Sequence, residues 1–106
     1  MASDATTEPP GLSMRRTMAR TDELTGLSNR RWFNLMLHGH WAESLRADLP
    51  LACLMIDLDN FKDVNDLHGH VVGDAVLREA ALRLASRARE GDVIARLGGE
   101  EFGWLM

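Results

Sequence analysis

The sequence predicts an α/β fold, or more broadly an α+β layer, in which helices pack on a sheet. Three patterns support this prediction. Two amphipathic stripes, at residues 28–46 and 74–88, indicate helices. A continuous apolar run, Leu51 to Ile56, has the length of a strand that is buried on both faces. Two short strand-like segments flank a pair of adjacent glycines near the end of the chain, which is typical of a hairpin.

The composition is that of one small globular domain. The chain has 106 residues, of which 45% are hydrophobic and 26% are charged, a balance typical of folded proteins rather than disordered ones. With a net charge of -4, the chain lacks the basic field that nucleic-acid binding needs, so we expect no nucleic-acid partner. Any phosphate-bearing ligand must then be held through a metal ion or a few local cations.

Cysteine usage and hydropathy narrow the class of protein further. Cys53 is the one cysteine in the sequence, so no internal disulfide or cysteine zinc site can form, and its apolar neighbours predict a small buried core residue. No segment approaches the roughly 18 consecutive apolar residues of a membrane span, and the N-terminus lacks the order of a secretory signal. We therefore expect this segment to be cytoplasmic and outside the membrane, although a parent protein could be membrane-anchored.

Residues 1–20 are predicted to be a leader or linker ahead of a single domain at residues 21–106. Met1–Gly11 is rich in Ala, Thr, Ser and Pro and ends in a Pro-Pro-Gly breaker, which favours disorder. The short basic stretch Met14–Arg20 has two interpretations. It is either the last turns of a helix that enters from an upstream domain or a solvated leader.

The first helix is expected to begin after Ser28-Asn29, a pair that suits an N-cap, and to run to about Arg46. Apolar side chains recur along it at every fourth position. These side chains are Phe33, Leu37, Trp41 and Leu45. The segment 48–50, which contains a proline, ends the helix, and the apolar strand that follows delivers Asp57 to the strand end.

The second helix is expected from Asp74 to Ala88, with a Gly91 stop at its C-terminal end. Glu79 and Arg83 are four residues apart and should pair on its surface. The two strands of the hairpin are expected at Val93–Leu97 and Phe102–Met106.

Two carboxylates follow the apolar strand at a spacing that suits a metal ion. Asp57 and Asp59 are two residues apart, so in an extended segment their side chains lie on the same face and can share a cation. The simpler alternative is a strand end that carries carboxylates because they are well solvated. A calcium-binding loop is excluded, because Lys62 stands where that loop needs glycine and His68 where it needs glutamate.

A second acidic feature follows the adjacent glycines. Gly98 and Gly99 form a turn without side chains, which lets the backbone come close to a bulky ligand. Glu100 follows directly, and its carboxylate could hold a divalent cation against phosphate oxygens. This combination indicates nucleotide chemistry.

The connection between the strand and the second helix has the composition of a nucleotide pocket. Gly69 and Gly73 would let the chain fold back over a ligand. Asparagine and aspartate suit the edge of a purine, and lysine can neutralise a phosphate, but each residue also has a plainer interpretation as a turn residue, a helix N-cap or a surface histidine. The polar residues concerned are Lys62, Asn65, His70 and Asp74. The chain has no G-K-[ST] loop, which excludes a P-loop site.

Three segments together resemble the motifs of GGDEF-domain diguanylate cyclases. They are DELTGLSNRR at 22–31, IDLDNFKDVNDLHGHVVGD at 56–74 and RLGGEEF at 96–102. The resemblance covers nearly everything from Arg20 to Met106. It implies a palm-like sheet flanked by helices, related to nucleotidyl cyclases and polymerase palms. It also implies a reaction that joins two GTP molecules into cyclic di-GMP with release of pyrophosphate.

The resemblance implies a role for each polar residue near the strand end. Asp57, the backbone carbonyl of Leu58 and Glu100 would hold Mg²⁺ or Mn²⁺ on the triphosphate. Glu100 would also help to activate the attacking 3′-hydroxyl group. Lys62 would stabilise the charge that develops on the phosphates, as metal-assisted phosphoryl chemistry requires.

The same resemblance implies a guanine pocket and a dimer. Asn65 and Asp74 would read guanine, His70 would shape the pocket, and the backbone of Gly98 and Gly99 would lie against the substrate. Since each domain would hold one GTP, two domains must meet face to face, so the active form should be a symmetric homodimer.

An R-x-x-D sequence precedes the glycine turn, at Arg89 and Asp92. In many family members this position is an inhibitory site for the product, so the resemblance implies that cyclic di-GMP is both product and inhibitor. Arg89 would bind a phosphate or a guanine edge, and Asp92 would accept from guanine. The alternative is a basic helix end that complements the helix dipole, followed by an acidic turn.

Family members continue beyond the hairpin with further helices and strands and a later basic pair. The resemblance therefore implies that residues 21–106 are a truncated GGDEF domain, whose parent carries an upstream sensory domain. Trp104 and the apolar pair Leu105-Met106 are expected to lack partners, which predicts exposed apolar surface. Two further functions stay open: a non-catalytic module that binds cyclic di-GMP, and a dimerisation module whose active site is idle because it is truncated.

Overall fold

The structure is a computed structural model that describes residues 20–106 and the backbone of residues 2–3 and 5–6. Its elements are β1 (Ala2–Ser3), β2 (Ala5–Thr6), α1 (Arg30–Ala47), β3 (Cys53–Asp57), α2 (Phe61–His68), α3 (His70–Arg87), β4 (Val93–Gly98) and β5 (Glu101–Leu105). β1 and β2 pair with each other in antiparallel fashion. The predictions of a disordered leader and of a basic helix end at Met14–Arg20 lie largely outside the described residues.

Three antiparallel strands form the sheet that organises residues 20–106. Their order is β3-β5-β4, so β5 is central. Successive residues of a strand point to opposite faces, and Phe102 and Gly103 of β5 do so here. Phe102 packs with Phe61 and Leu77 on one face, and Phe33 packs over Gly103 on the other. Helices therefore cover both faces, which confirms the predicted mixed fold.

Helix α1 begins and ends close to where the sequence predicts. The Asn29 side chain accepts a hydrogen bond from the Trp32 backbone N–H at 2.8 Å, which satisfies a donor that the first helical turn leaves unpaired. At the other end Asp48 adopts a left-handed conformation with φ of 54°, and its backbone N–H donates to the Ser44 carbonyl. The predicted helix is confirmed, and Gly39 does not interrupt it.

The apolar stripe of α1 packs only through its first half. Phe33 is 2% exposed, whereas Trp41 is 58% exposed and Leu45 is 70% exposed. The helix packs chiefly against β4, so its later turns leave the apolar side chains uncovered. The apolar stripe is therefore longer than the part of α1 that a neighbouring element covers.

Strand β3 is not buried on both faces. Leu54 and Met55 are 45% and 68% exposed, and Cys53 is exposed rather than a core residue. The reason is topological: β3 is one edge of the sheet, while α1 and α3 pack against β4 at the opposite edge. Only Ile56 of this strand joins the core around Phe102. The sequence shows that a segment is apolar, but it does not show whether a helix covers that segment in the folded protein.

The predicted connection between strand and helix is itself helical. α2 occupies Phe61–His68, and α3 begins at His70, four residues before the expected start. Asp74 is therefore inside α3 and is not its N-cap, and Asn65-Asp66 are helical rather than turn residues. Gly69, with φ of 86°, separates the two helices. The polar composition that favours a turn is overridden because Phe61 is 6% exposed and anchors α2 to the core.

The end of α3 also differs from the prediction. The helix stops at Arg87, and Ala88 rather than Gly91 is its cap. The predicted surface pair is confirmed, since the Arg83 Nε donates to Glu79 at 2.9 Å. No helix among residues 20–106 has the length and hydropathy needed to cross a bilayer.

The predicted hairpin is confirmed as β4 and β5. The prediction that its apolar end is unpartnered is wrong for Leu105, which is 0% exposed and lies in the cluster around Phe33. Leu105 is buried because β5 is central, with Cys53 and Val93 as its cross-strand neighbours. Trp104 is half-buried, and Met106 is 42% exposed.

Replacing Leu77 by Ala is expected to destabilise the protein by about 2–5 kcal/mol, because its removal leaves a cavity in the core. Leu77 is 2% exposed, and Leu82 on the same helix is 66% exposed. Leu82→Ala is therefore the matched control, with a change of no more than about 0.5 kcal/mol expected at an exposed position. Urea denaturation measures both. Equal losses would contradict the assignment of Leu77 to the core.

Candidate functional site

An open cleft lies where β3, α2 and the hairpin turn meet. Its volume is about 370 Å³. The lining residues are Asp57, Leu58, Asp59, Asn60, Phe61, Lys62, Asp63 and Glu100. Both carboxylates of the predicted pair after the strand are among them, together with the predicted lysine and the glutamate of the glycine turn. The cleft thus brings together the residues predicted to hold the metal ion and the phosphates, but none of those predicted to read guanine.

Strand pairing brings Asp57 and Glu100 to this cleft although they are far apart in sequence. In the register of β3 and β5, Asp57 lies opposite Glu101. One step further, the Leu58 backbone N–H donates to the Glu100 carbonyl oxygen at 3.3 Å. The ladder therefore extends past the strand ends, and it holds Leu58 beside the turn.

The donor set in the cleft fits a hard divalent cation that is shared with a phosphate. Asp57 is exposed and Glu100 is half-buried, so both carboxylates are accessible from the cleft. Nowhere in residues 20–106 do three or more His, Cys, Asp or Glu side chains gather into a metal-binding group. Mg²⁺ in nucleotide sites is commonly held by one or two carboxylates plus phosphate oxygens. The predicted set of Asp57, the Leu58 carbonyl and Glu100 is of this incomplete kind.

Lys62 reaches the cleft from the first turn of α2. Asn60, in a left-handed conformation with φ of 61°, turns the chain from the strand end into the helix. The Lys62 ammonium lies 3.5 Å from the Asp66 carboxylate, and the Lys62 side chain is 87% exposed. An ion pair this exposed contributes little to stability, so Lys62 can leave it for an anion in the cleft.

The predicted guanine-reading residues lie outside the cleft, at the junction of α2 and α3. Asn65 and Asp74 are half-buried, and His70 is exposed at the start of α3. The Asn65 side chain packs directly against Gly73, and its Oδ1 is buried with no hydrogen-bond partner in the described part of the chain. A buried amide oxygen without a partner costs free energy, which is typical of a binding group.

Arg96 is a residue whose importance the sequence patterns alone do not indicate. Its Nε donates to the Gly99 carbonyl at 2.9 Å, and its Nη1 lies 3.3 Å from Asp22. The Arg96 and Asp22 side chains are each 19% exposed. The other oxygen of Asp22 accepts from the Thr25 backbone and hydroxyl. One arginine therefore ties the turn at Gly99 to the segment that precedes α1.

The family resemblance includes both residues of this contact, but no local pattern joins them. Asp22 and Arg96 are both charged residues inside the segments that resemble family motifs, but they are 74 positions apart. Side-chain pairing over that separation depends on the tertiary structure, in which Ser28 lies beside Ala95 of β4.

Arg89 and Asp92 form a separate turn between α3 and β4. The Arg89 backbone N–H donates to the Asp92 carboxylate at 2.9 Å, and the Asp92 N–H donates back to the Arg89 carbonyl at 3.0 Å. The Trp104 indole N–H donates to the same carboxylate oxygen at 3.1 Å. The Arg89 N–H, and after it the Trp104 N–H, lower the pKa of Asp92 below the ordinary aspartate value. Trp104, expected to be unpartnered, is therefore hydrogen-bonded.

Comparison with known proteins identifies the family. A sequence model described as "Diguanylate cyclase, GGDEF domain" matches residues 19–106. This chain belongs to the GGDEF domain family. The resemblance inferred from the three sequence segments is thus confirmed.

Curated relatives of this GGDEF chain are longer proteins. Response regulator PleD of Caulobacter vibrioides is 48% identical over 89 residues, which are 84% of this chain and 20% of PleD. Diguanylate cyclase TpbB of Pseudomonas aeruginosa is 43% identical over 88 residues, 83% of this chain and 20% of TpbB. The GGDEF chain therefore spans about a fifth of the length of each.

Solved structures of GGDEF domains have the same fold as this chain. The GGDEF domain of DgcB from Caulobacter crescentus, in complex with c-di-GMP, matches with a TM-score of 0.81 at 38% identity. The match covers 83% of this GGDEF chain and 52% of that structure. The helix and sheet arrangement described above is thus that of a GGDEF domain.

Gly73→Ala is expected to destabilise the GGDEF chain by about 1–3 kcal/mol, the usual cost of overpacking. The added Cβ would lie 1.8 Å from the Asn65 Oδ1 and must displace that side chain. Gly39→Ala is the matched control, because Gly39 is also helical and has nothing within 4 Å of the new Cβ. It should stabilise by about 0.5–1 kcal/mol. Thermal unfolding measures both, and a stabilised Gly73→Ala would contradict the placement of Asn65.

Proposed function

We propose that this GGDEF chain acts in a diguanylate cyclase, which condenses two GTP molecules into cyclic di-GMP with release of pyrophosphate. One observation carries the proposal. The pairing of β3 with β5 places Asp57, Glu100 and Lys62 on a single open cleft. Metal-assisted phosphoryl transfer at a triphosphate uses carboxylates that hold the metal ion, and an exposed cationic side chain can offset phosphate charge.

The acidic side of the cleft is proposed to hold Mg²⁺, or Mn²⁺, through Asp57, the Leu58 carbonyl and Glu100. When bound, the ion would neutralise triphosphate charge and polarise the phosphorus under attack. Glu100 would also help to remove the proton from the attacking 3′-hydroxyl group, because Glu100 lines the cleft in which the substrate would bind. Lys62, which also lines the cleft, would offset the negative charge that develops on the phosphate oxygens.

Guanine recognition is assigned to the α2 and α3 junction. Guanine presents two neighbouring donors, N1–H and the exocyclic amino group, which one carboxylate can accept together. Asp74 is proposed to make this contact, with the Asn65 amide reading a further position of the base edge. Adenine, which has an acceptor at N1, would leave the Asp74 carboxylate unpaired and is therefore disfavoured.

The remaining predicted substrate residues have supporting positions. His70 at the start of α3 would shape the base pocket from the outside. Gly98 and Gly99 would let the backbone lie against the substrate, since Gly99 has a left-handed φ of 45° and neither glycine has other atoms near its missing Cβ.

The active form is proposed to be a symmetric homodimer. One cleft holds one GTP, and the ring of cyclic di-GMP contains two equivalent linkages. A two-fold axis that brings two clefts face to face supplies both. The open shape of the cleft supports this arrangement. We further propose a cytoplasmic location and control by an upstream sensory domain.

Product inhibition is proposed at the turn formed by Arg89 and Asp92. The exposed Arg89 guanidinium can bind a phosphate or the acceptor edge of guanine in two-point fashion. The Asp92 carboxylate is ionised and can accept from guanine. This turn is separate from the cleft, so product there need not compete with GTP.

A second candidate function rests on the same turn. A chain that uses only Arg89 and Asp92 would be a non-catalytic module that binds cyclic di-GMP, or a dimerisation module with an idle cleft. The separation of the turn from the cleft favours this alternative, since each can work without the other.

Replacing Glu100 by Gln is expected to lower cyclic di-GMP formation by about two orders of magnitude or more, because a charge that holds the cation and accepts a proton is lost. Formation from GTP with Mg²⁺ is measured by chromatography, in this chain and in a longer protein that carries it. Glu79→Gln is the control, since Glu79 lies on the exposed face of α3, paired with Arg83. Undiminished turnover by Glu100→Gln would reject the role of Glu100. If neither the unmodified chain nor the longer protein forms cyclic di-GMP, the alternative of a non-catalytic binding module is favoured.

Replacing Arg89 by Ala is expected to raise the concentration of cyclic di-GMP needed for half-maximal inhibition by about tenfold or more, because the two-point contact to phosphate or guanine is lost. Inhibition curves with added product measure the change. Arg87→Ala is the control, because Arg87 is also exposed but is the last residue of α3 and lies outside the turn. Unchanged inhibition in Arg89→Ala would remove this turn from regulation.

A further inference from the structure

The Asp92 carboxylate is held from two directions. One donor, the Arg89 backbone N–H, belongs to the turn itself. The other, the Trp104 indole N–H, belongs to the central strand β5, twelve residues further on. Both reach the same oxygen, Oδ2. Two donors on one oxygen orient the carboxylate, and among residues 20–106 no hydrogen bond is made to Oδ1.

The two donors differ in rigidity. The Arg89 N–H lies in an exposed turn, and a bond within such a turn moves with it. Trp104 stands on a strand that is paired on both sides, opposite Leu54 and Ile94. The indole N–H therefore fixes the position of the carboxylate relative to the core of the protein. Supporting residues orient metal ligands and catalytic groups in the same way.

The surroundings of Asp92 offer room for a planar ligand. A groove of about 390 Å³ lies beside it, with Trp32 and Val93 among its walls. Ligand pockets commonly have volumes in this range. The orientation of Asp92 towards such a groove decides whether a base edge can pair with it.

We infer that Trp104 is a positioning residue for the cyclic di-GMP site at Arg89 and Asp92, acting by orienting the Asp92 carboxylate. The inference rests on the proposed function of that turn. Tryptophan provides what phenylalanine cannot, a ring N–H that donates to a carboxylate. The hydrogen bond is expected to raise affinity through pre-organisation, because the chain without ligand already holds the Asp92 carboxylate in the orientation needed for binding.

Trp104→Phe tests the inference because it keeps an aromatic ring on β5 and removes the donor. Cyclic di-GMP is titrated by calorimetry into the 106-residue chain and its variants. We expect the Kd to rise about tenfold, which corresponds to about 1.4 kcal/mol. Trp41→Phe is the matched control, the same substitution at a side chain that is 58% exposed on α1. Its Kd should change by less than about twofold.

A double-mutant cycle separates positioning from packing. If Trp104 acts through Asp92, then Trp104→Phe added to Asp92→Asn should weaken binding much less than it does alone. The indole N–H resonance of Trp104 gives a readout without ligand. It should shift in Asp92→Asn, while the Trp41 resonance should not.

Three results would overturn the inference. A Kd for Trp104→Phe within about twofold of the unmodified chain, with binding lost in Arg89→Ala, would keep the product site and reject the role of Trp104. An equal loss in both backgrounds of the cycle would assign the effect to packing. Absence of binding in the unmodified chain, or binding unaffected by Arg89→Ala, would reject the product site itself, and the Glu100→Gln assay would still test the cyclase reaction.

Discussion

The pairing of β5 with strands on both sides is the constraint on which the rest of this structure depends. Side chains on opposite faces of β5 supply the two halves of the core. Phe102 lies on the face covered by α2 and α3, and Leu105 lies on the face covered by α1. Gly103 between them is required, because a Cβ there would meet the Phe33 ring at 2.8 Å. Slipping the register by one residue would exchange these faces, so packing and register specify each other.

The same pairing builds both functional regions. At one end of β5, the ladder brings the turn that carries Glu100 against Asp57 and Leu58. Towards the other end, Trp104 reaches the Asp92 carboxylate. The proposed catalytic cleft and the proposed product site are therefore attached to one hairpin at opposite ends. Their relative position is set by backbone hydrogen bonds, which the strands must keep because a buried backbone group without a partner costs free energy.

Few of the charged contacts stabilise this arrangement. The pairs Lys62–Asp66 and Arg83–Glu79 are largely exposed, and such pairs contribute little. The Arg96–Asp22 pair differs, since both side chains are 19% exposed and Arg96 also bonds the Gly99 carbonyl. In a less polar setting the same contact is stronger, and loss of one partner costs more. The pair thereby links the segment before α1 to the glycine turn. It adds a polar contact between parts of the chain that are distant in sequence.

Local sequence by itself determined the elements whose signals are local: the Asn29 cap of α1, the hairpin around Gly98-Gly99, and the family through three long motifs. The guanine and metal residues were named from that family resemblance, and their roles stay predictions. Only the tertiary structure decided which apolar residues are buried. Leu54 and Trp41 both lie in apolar patterns, yet they are exposed, because an edge strand and the later turns of a helix are not covered by other elements. It also decided the contacts between Asp22 and Arg96 and between Asp92 and Trp104, because side chains distant in sequence meet only when the chain has folded.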